Sequence, residues 1–133
     1  MALDPVIRDF LNERRFAVLA TINRDGTPQQ SVMWYLVDGE SIVMNTARGR
    51  LKDRNMLSDR RVSICVEDEY RYVTISGQFE MIADQTIAQA DIYALAVRYD
   101  GKEEADRMMT ESFGKQQRVT LRLPIGKVDA HGF

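Results

Sequence analysis

Residues 73–81 constrain the fold more than any other stretch. Val73, Ile75, Gly77, Phe79 and Met81 take every second position, with Thr74, Ser76, Gln78 and Glu80 between them. Successive side chains of a strand point to opposite faces, so this alternation describes a strand with one face in a core. Gly77 marks either a bulge, the simpler reading, or a close approach by another chain or ligand. Five more strands are expected at 16–22, 30–37, 41–46, 61–67 and 119–125. Asn23-Arg24-Asp25-Gly26-Thr27-Pro28, Asp38-Gly39 and Asp68-Glu69-Tyr70-Arg71 supply turns between neighbours. Asp4-Pro5 opens a helix, Asp as its cap and Pro in its first position, with Ile7, Phe10 and Leu11 as the apolar stripe. A second helical section carries Ile87, Ala90, Ala94 and Leu95, breaks at Gly101, and resumes with Ala105, Met108 and Met109. Hairpins first, then helices, then a return strand predict an α+β, mainly β fold. The expected form is an antiparallel six-stranded barrel with flanking helices. At 133 residues, the chain suits a single domain over 1–133.

Chemistry concentrates at 44–55. The apolar strand end at 42–44 gives way to Arg48, Arg50, Lys52 and Arg54, opposed only by Asp53, and Leu51, Met56 and Leu57 suggest a short helix. Cations at a helix start conflict with the partial positive charge of its free N–H groups. A bound anion removes the conflict, because the same groups converge on it. A charge run taken alone reads as a solvated turn. Its position between strand and helix, with Gly49 permitting close backbone approach, favours a phosphate site.

The formal net charge of -2 makes this cluster local, which suits a small anionic ligand and argues against nucleic acid. Cys65, the only cysteine, excludes an intramolecular disulfide and a cysteine-rich metal site. Between Val62 and Val66 it reads as a small buried apolar residue. His131, the only histidine, reads as an exposed residue, which leaves no His-dependent triad and no multi-His metal site. Glu103 and Glu104 read as solvated charge, and neither GxGxxG nor a P-loop occurs. No catalytic side chain and no metal are expected, so a cofactor must carry any reaction. No apolar run approaches ~20 residues and the N-terminal residues lack a secretory pattern, so the expected setting is the cytoplasm, away from membrane.

Three segments, in order, carry a resemblance: Val18-Leu19-Ala20-Thr21, then Gly26 through Tyr35, then Arg50-Leu51-Lys52-Asp53-Arg54-Asn55. Together they resemble the pyridoxamine 5'-phosphate oxidase-like split β-barrels, in particular the branch that binds the deazaflavin coenzyme F420 instead of FMN. The resemblance implies a homodimer with cofactors held in grooves between subunits. It implies that Arg50 and Lys52 hold phosphate. Gln30, Ser31, Val32 and Met33 would line the ring, largely through backbone groups. Asn45 and Thr46 would lie beside the ribityl chain and phosphate, and Trp34 would face the substrate pocket. Relatives often reach across the dimer with one aromatic before the fifth strand. Here Tyr70, Arg71 and Tyr72 share that turn, so no single residue takes the role. The implied activity is F420-dependent hydride transfer to a small organic substrate with an activated double bond. An FMN-dependent oxidase or reductase and a non-catalytic cofactor-binding protein are the alternatives. F420 carries a phosphodiester and an acidic tail where FMN ends in a monophosphate. Cations spread over Arg48, Arg50, Lys52, Arg54, Arg60 and Arg61 suit the longer anion.

Overall fold

Two antiparallel sheets enclose one apolar interior in the computed structural model, which describes residues 3–133. The first sheet has the order β2 (Pro28–Met33), β1 (Ala17–Ile22), β5 (Arg61–Asp68), β6 (Arg71–Gln78), β9 (Lys127–His131). The second has the order β3 (Leu36–Asp38), β4 (Ser41–Ala47), β8 (Arg118–Pro124), β7 (Glu80–Ile82). Helices α1 (Pro5–Asn12), α2 (Leu51–Ser58), α3 (Gln85–Asp100) and α4 (Lys102–Glu111) flank them, and a 3-10 turn, Phe113–Lys115, precedes β8. Among the described residues, no helix is long and apolar enough to cross a membrane.

The expected α+β, mainly β class is what forms, with nine strands where alternation predicts six. Two expected strands are each cut in two where the chain changes sheet. Trp34 and Tyr35 separate β2 from β3. Tyr35 is buried there, donating its hydroxyl to Leu11 O at 2.8 Å and its N–H to Tyr99 Oη at 3.1 Å, which turns the backbone out of the ladder. Buried Phe79 separates β6 from β7 at the barrel corner. Just before it, a Cβ on Gly77 would sit 3.1 Å from Leu123 Cδ1, so the close approach there comes from the chain's own β8. The ninth strand, β9, lies at an edge with only Val128 half-buried, so it has no periodicity to read. His131 belongs to it, exposed and paired opposite Tyr72.

Other expectations are refined. Asp4 caps α1, accepting from Val6 N–H at 2.8 Å, and Ile7, Phe10 and Leu11 are buried. On α3 the buried face is instead Ala88, Ile92, Leu95, Ala96 and Tyr99, while Ile87 is exposed. Helix α3 has small or apolar residues almost all round, so the sheet it packs on selects the face. Cys65 is half-buried rather than buried, on the outward face of β5 between Val18 and Thr74.

Candidate functional site: a cationic recess in the split between the sheets

The β4–α2 junction is built around Asp53. Gly49 takes a positive φ of 92° and donates its N–H to Asp53 Oδ2 at 2.8 Å. Asp53 is fully buried, and its other oxygen lies 3.4 Å from Arg48 Nη1. Arg48 is therefore committed to a carboxylate. Arg61 is likewise paired with Asp59 at 2.6 Å. Arg50 sits in the cap position of α2 and its side chain accepts nothing from the helix, so the first-turn N–H groups have no side-chain acceptor. Arg50 and Lys52 have no carboxylate partner among the described residues.

A third cation joins them from the far end of the chain. Arg118 opens β8 and pairs in register with Ala47. It is 4% exposed; Nε donates to Asn45 Oδ1 at 2.9 Å and Nη1 to Gln116 Oε1 at 2.6 Å, with the guanidinium 5.0 Å from the Phe113 ring. Burial, then the Arg50 charge, pushes Arg118 down to about 10, which leaves it charged at neutral pH. Burial first, then Arg50 and Arg118, holds Lys52 below its ordinary value. Burial is the larger cause of both shifts and repulsion between the cations adds to it; a bound anion would oppose both.

Arg50 and Arg118 line a recess of about 220 Å³ with Val32, Met33, Trp34, Asn45, Ile92, Leu95 and Phe113, and Lys52 lies near enough to feel both charges. Trp34 stacks on Tyr99 (5.3 Å, 8°) and meets Phe113 edge-on at 6.3 Å, forming an aromatic wall. Strand β2 is a sheet edge, so one side of its backbone is open to a polar ligand. The neighbouring Ser31 Oγ and Thr46 Oγ1 are buried without a hydrogen-bond partner. Cations at one end, a flat apolar wall and free backbone along the side fit a phosphorylated heterocycle. A larger recess of about 300 Å³ between α1 and β9 is lined mainly by apolar side chains and has no cation.

A family profile described as pyridoxamine 5'-phosphate oxidase matches residues 3–131. The chain belongs to the pyridoxamine 5'-phosphate oxidase family. Solved structures agree. A conserved hypothetical protein from Mycobacterium tuberculosis superposes with a TM-score of 0.81 at 28% identity, over 98% of this chain and 85% of that one. An F420 reductase gives 0.72 at 28% identity, over 92% and 94%. The heme storage protein HutZ from Vibrio cholerae gives 0.73 at 23% identity, over 100% and 97%, a likeness of fold alone.

Of the residues that resemblance to this family singles out, Val32, Met33, Trp34, Asn45 and Arg50 line the recess, while Lys52, two residues beyond Arg50 on α2, does not. Gln30 does not join them: it shares the face of Val32 but lies two residues further from the Trp34 end of β2, exposed and opposite Ala20. Ser31 and Thr46 stand beside lining residues without lining it themselves. Sequence reasoning missed Arg118, Ile92, Leu95 and Phe113. Arg118 shares the parity of Thr120 and Arg122, the polar side of the expected last strand. Nothing local distinguishes it; only the β4–β8 pairing brings it beside Asn45 and into the recess.

Proposed function

We propose that this pyridoxamine 5'-phosphate oxidase family member is an F420-dependent oxidoreductase acting on a small organic substrate with an activated double bond. The observation that carries the reading is the set of three uncompensated cations, Arg50, Lys52 and Arg118, at the end of an aromatic recess. The 28% identity to an F420 reductase over nearly the whole of both chains supports it. Bound deazaflavin supplies the hydride. Arg50 and Lys52 hold its phosphate, with Asn45 and Thr46 at the adjoining strand end. The β2 backbone from Gln30 through Met33 holds the ring edge, and Trp34 faces the substrate. Ile92, Leu95 and Phe113 keep water from the ring. Cys65 on the outer face and His131 on β9 lie on neither wall, and the proposed hydride chemistry needs no protein nucleophile.

FMN would use the same cations. One feature favours the longer anion. Arg24 and Arg54, neither in an ion pair among the described residues, line a recess of about 470 Å³ with Leu51, next along α2 from Arg50. Asp25 lines the same recess, so its two arginines give it a net positive charge of one toward an acidic tail. Pairing of Arg48 and Arg61 with Asp53 and Asp59 removes those two from the free cations. Absorbance of the purified protein, followed by titration with F420 and FMN, tests the reading. Tighter binding of F420 is expected. Binding of FMN alone would select the FMN-dependent alternative, and binding of neither would leave no support for a cofactor enzyme.

The functional form is a homodimer. Ligand sites for molecules of this size enclose roughly 300–1,000 Å³, more than the 220 Å³ this chain provides alone. On the outer face of the first sheet, the row Val32, Val18, Cys65, Thr74 carries no charge, and Val32 is 68% exposed. The row ends at Asp129 on β9, and exposed Glu67 and Lys127 share the face, so the uncharged part is the stretch from β2 to β6, where exposed Val32 suits contact with a second copy. Light scattering at low micromolar concentration should give twice the chain mass. A cofactor-binding monomer would remove the composite site.

A further inference from the structure

Arg118 is held by a chain of hydrogen bonds with only one possible direction. Asp91 on α3 accepts from the Thr120 hydroxyl at 2.6 Å. The Thr120 oxygen lies 3.4 Å from Asn45 Nδ2, which also donates to Ala88 O at 2.9 Å, and Asn45 Oδ1 accepts from Arg118 Nε. An ionised carboxylate only accepts and a guanidinium only donates, so the two ends dictate which way the hydroxyl and the amide between them must face. Asn45 and Thr120 stand directly opposite in the β4–β8 register, so the relay crosses α3, β8 and β4 without a loop. Its consequence is at the guanidinium. Nε and Nη1 are used within the protein, whereas Nη2 makes no hydrogen bond among the described residues, and Arg118 lines the recess.

We propose that Arg118 is a third anion-contacting residue of the recess, and that Asn45, Thr120 and Asp91 are positioning residues that fix its guanidinium. On this reading Asn45 contributes through Arg118, because every polar atom of its amide is already engaged. A planar fork held at two nitrogens offers its third to a phosphate oxygen without losing side-chain freedom on binding. Only the identity of the ligand rests on the proposed cofactor function. The anion site itself does not.

The test uses the full chain, with inorganic pyrophosphate, FMN and F420 as probes. Binding is followed by calorimetry and by fluorescence of Trp34, the one tryptophan. Arg118→Met should weaken pyrophosphate binding about tenfold or more and flatten its salt dependence, because one cation is gone. Arg118→Lys should keep the salt dependence without restoring affinity, since an ammonium has no Nε–H for Asn45 and no second nitrogen to offer. Thr120→Val and Thr120→Ala remove the hydroxyl between Asp91 and Asn45 and keep every charge, Arg118 included. They should weaken binding several-fold with the salt dependence unchanged. Unchanged affinity in Arg118→Met would overturn the proposal, as would a wild-type protein that does not bind pyrophosphate. If Arg118→Met does not fold, wild-type affinity in both relay variants overturns it instead. Binding of pyrophosphate without FMN or F420 leaves the anion site standing and removes the cofactor function.

Discussion

Lys52→Ala and Arg50→Ala should each weaken cofactor binding by roughly ten- to a hundredfold while leaving the fold as stable as before. A charge-assisted hydrogen bond to phosphate is worth about 1.5–3 kcal/mol, which sets that range. The stability half of the expectation comes from the free protein. Neither residue has a carboxylate partner among the described residues, and Lys52 is already held below its ordinary pKa by burial and its cationic neighbours. Removing one cation from a helix start relieves repulsion, so ligand-free thermal unfolding should stay level or rise slightly. A structural residue would lose stability and affinity together. Affinities for F420 and FMN at two salt concentrations, with unfolding measured without cofactor, separate the cases. Unchanged affinity for both cofactors in both variants would return the junction to a solvated basic turn.

Asp53→Ala, one residue further along the same helix, should do the opposite. Its carboxylate is fully buried, accepts the Gly49 N–H at 2.8 Å and faces Arg48 at 3.4 Å. Truncation leaves that N–H and that guanidinium unpartnered beside a small cavity. Breaking a wholly buried pair costs ~3–5 kcal/mol. Arg48 is a third exposed and can turn to water, so the expected loss is about 2–3 kcal/mol. Anion affinity should hold or rise, because the local positive charge increases. Denaturant unfolding followed by calorimetric titration with pyrophosphate measures both. A midpoint unchanged from wild type would mean that Asp53 does not organise the junction.

How much of this was legible beforehand differs element by element. The α1 cap, the Asp38-Gly39 hairpin and the alternation over 73–78 depend on neighbours a few residues apart, and each forms where the residues place it. The resemblance carried the family. The strand count was not legible, because a change of sheet at Trp34–Tyr35 or at Phe79 leaves the alternation almost intact. Nor was the buried face of α3, whose small residues allow several faces until a sheet packs against one.

The site divides along the same line. Local sequence by itself determined the cationic strand-to-helix junction, since Gly49, Arg50 and Lys52 are adjacent. Charge counting could not tell which cations are free. Arg48 is withdrawn by a carboxylate that must be buried to hold it, and Arg118 is supplied from the far end of the chain. The first depends on the burial of Asp53 and the second on the β4–β8 register that sets Arg118 opposite Ala47, and only the tertiary structure decides either.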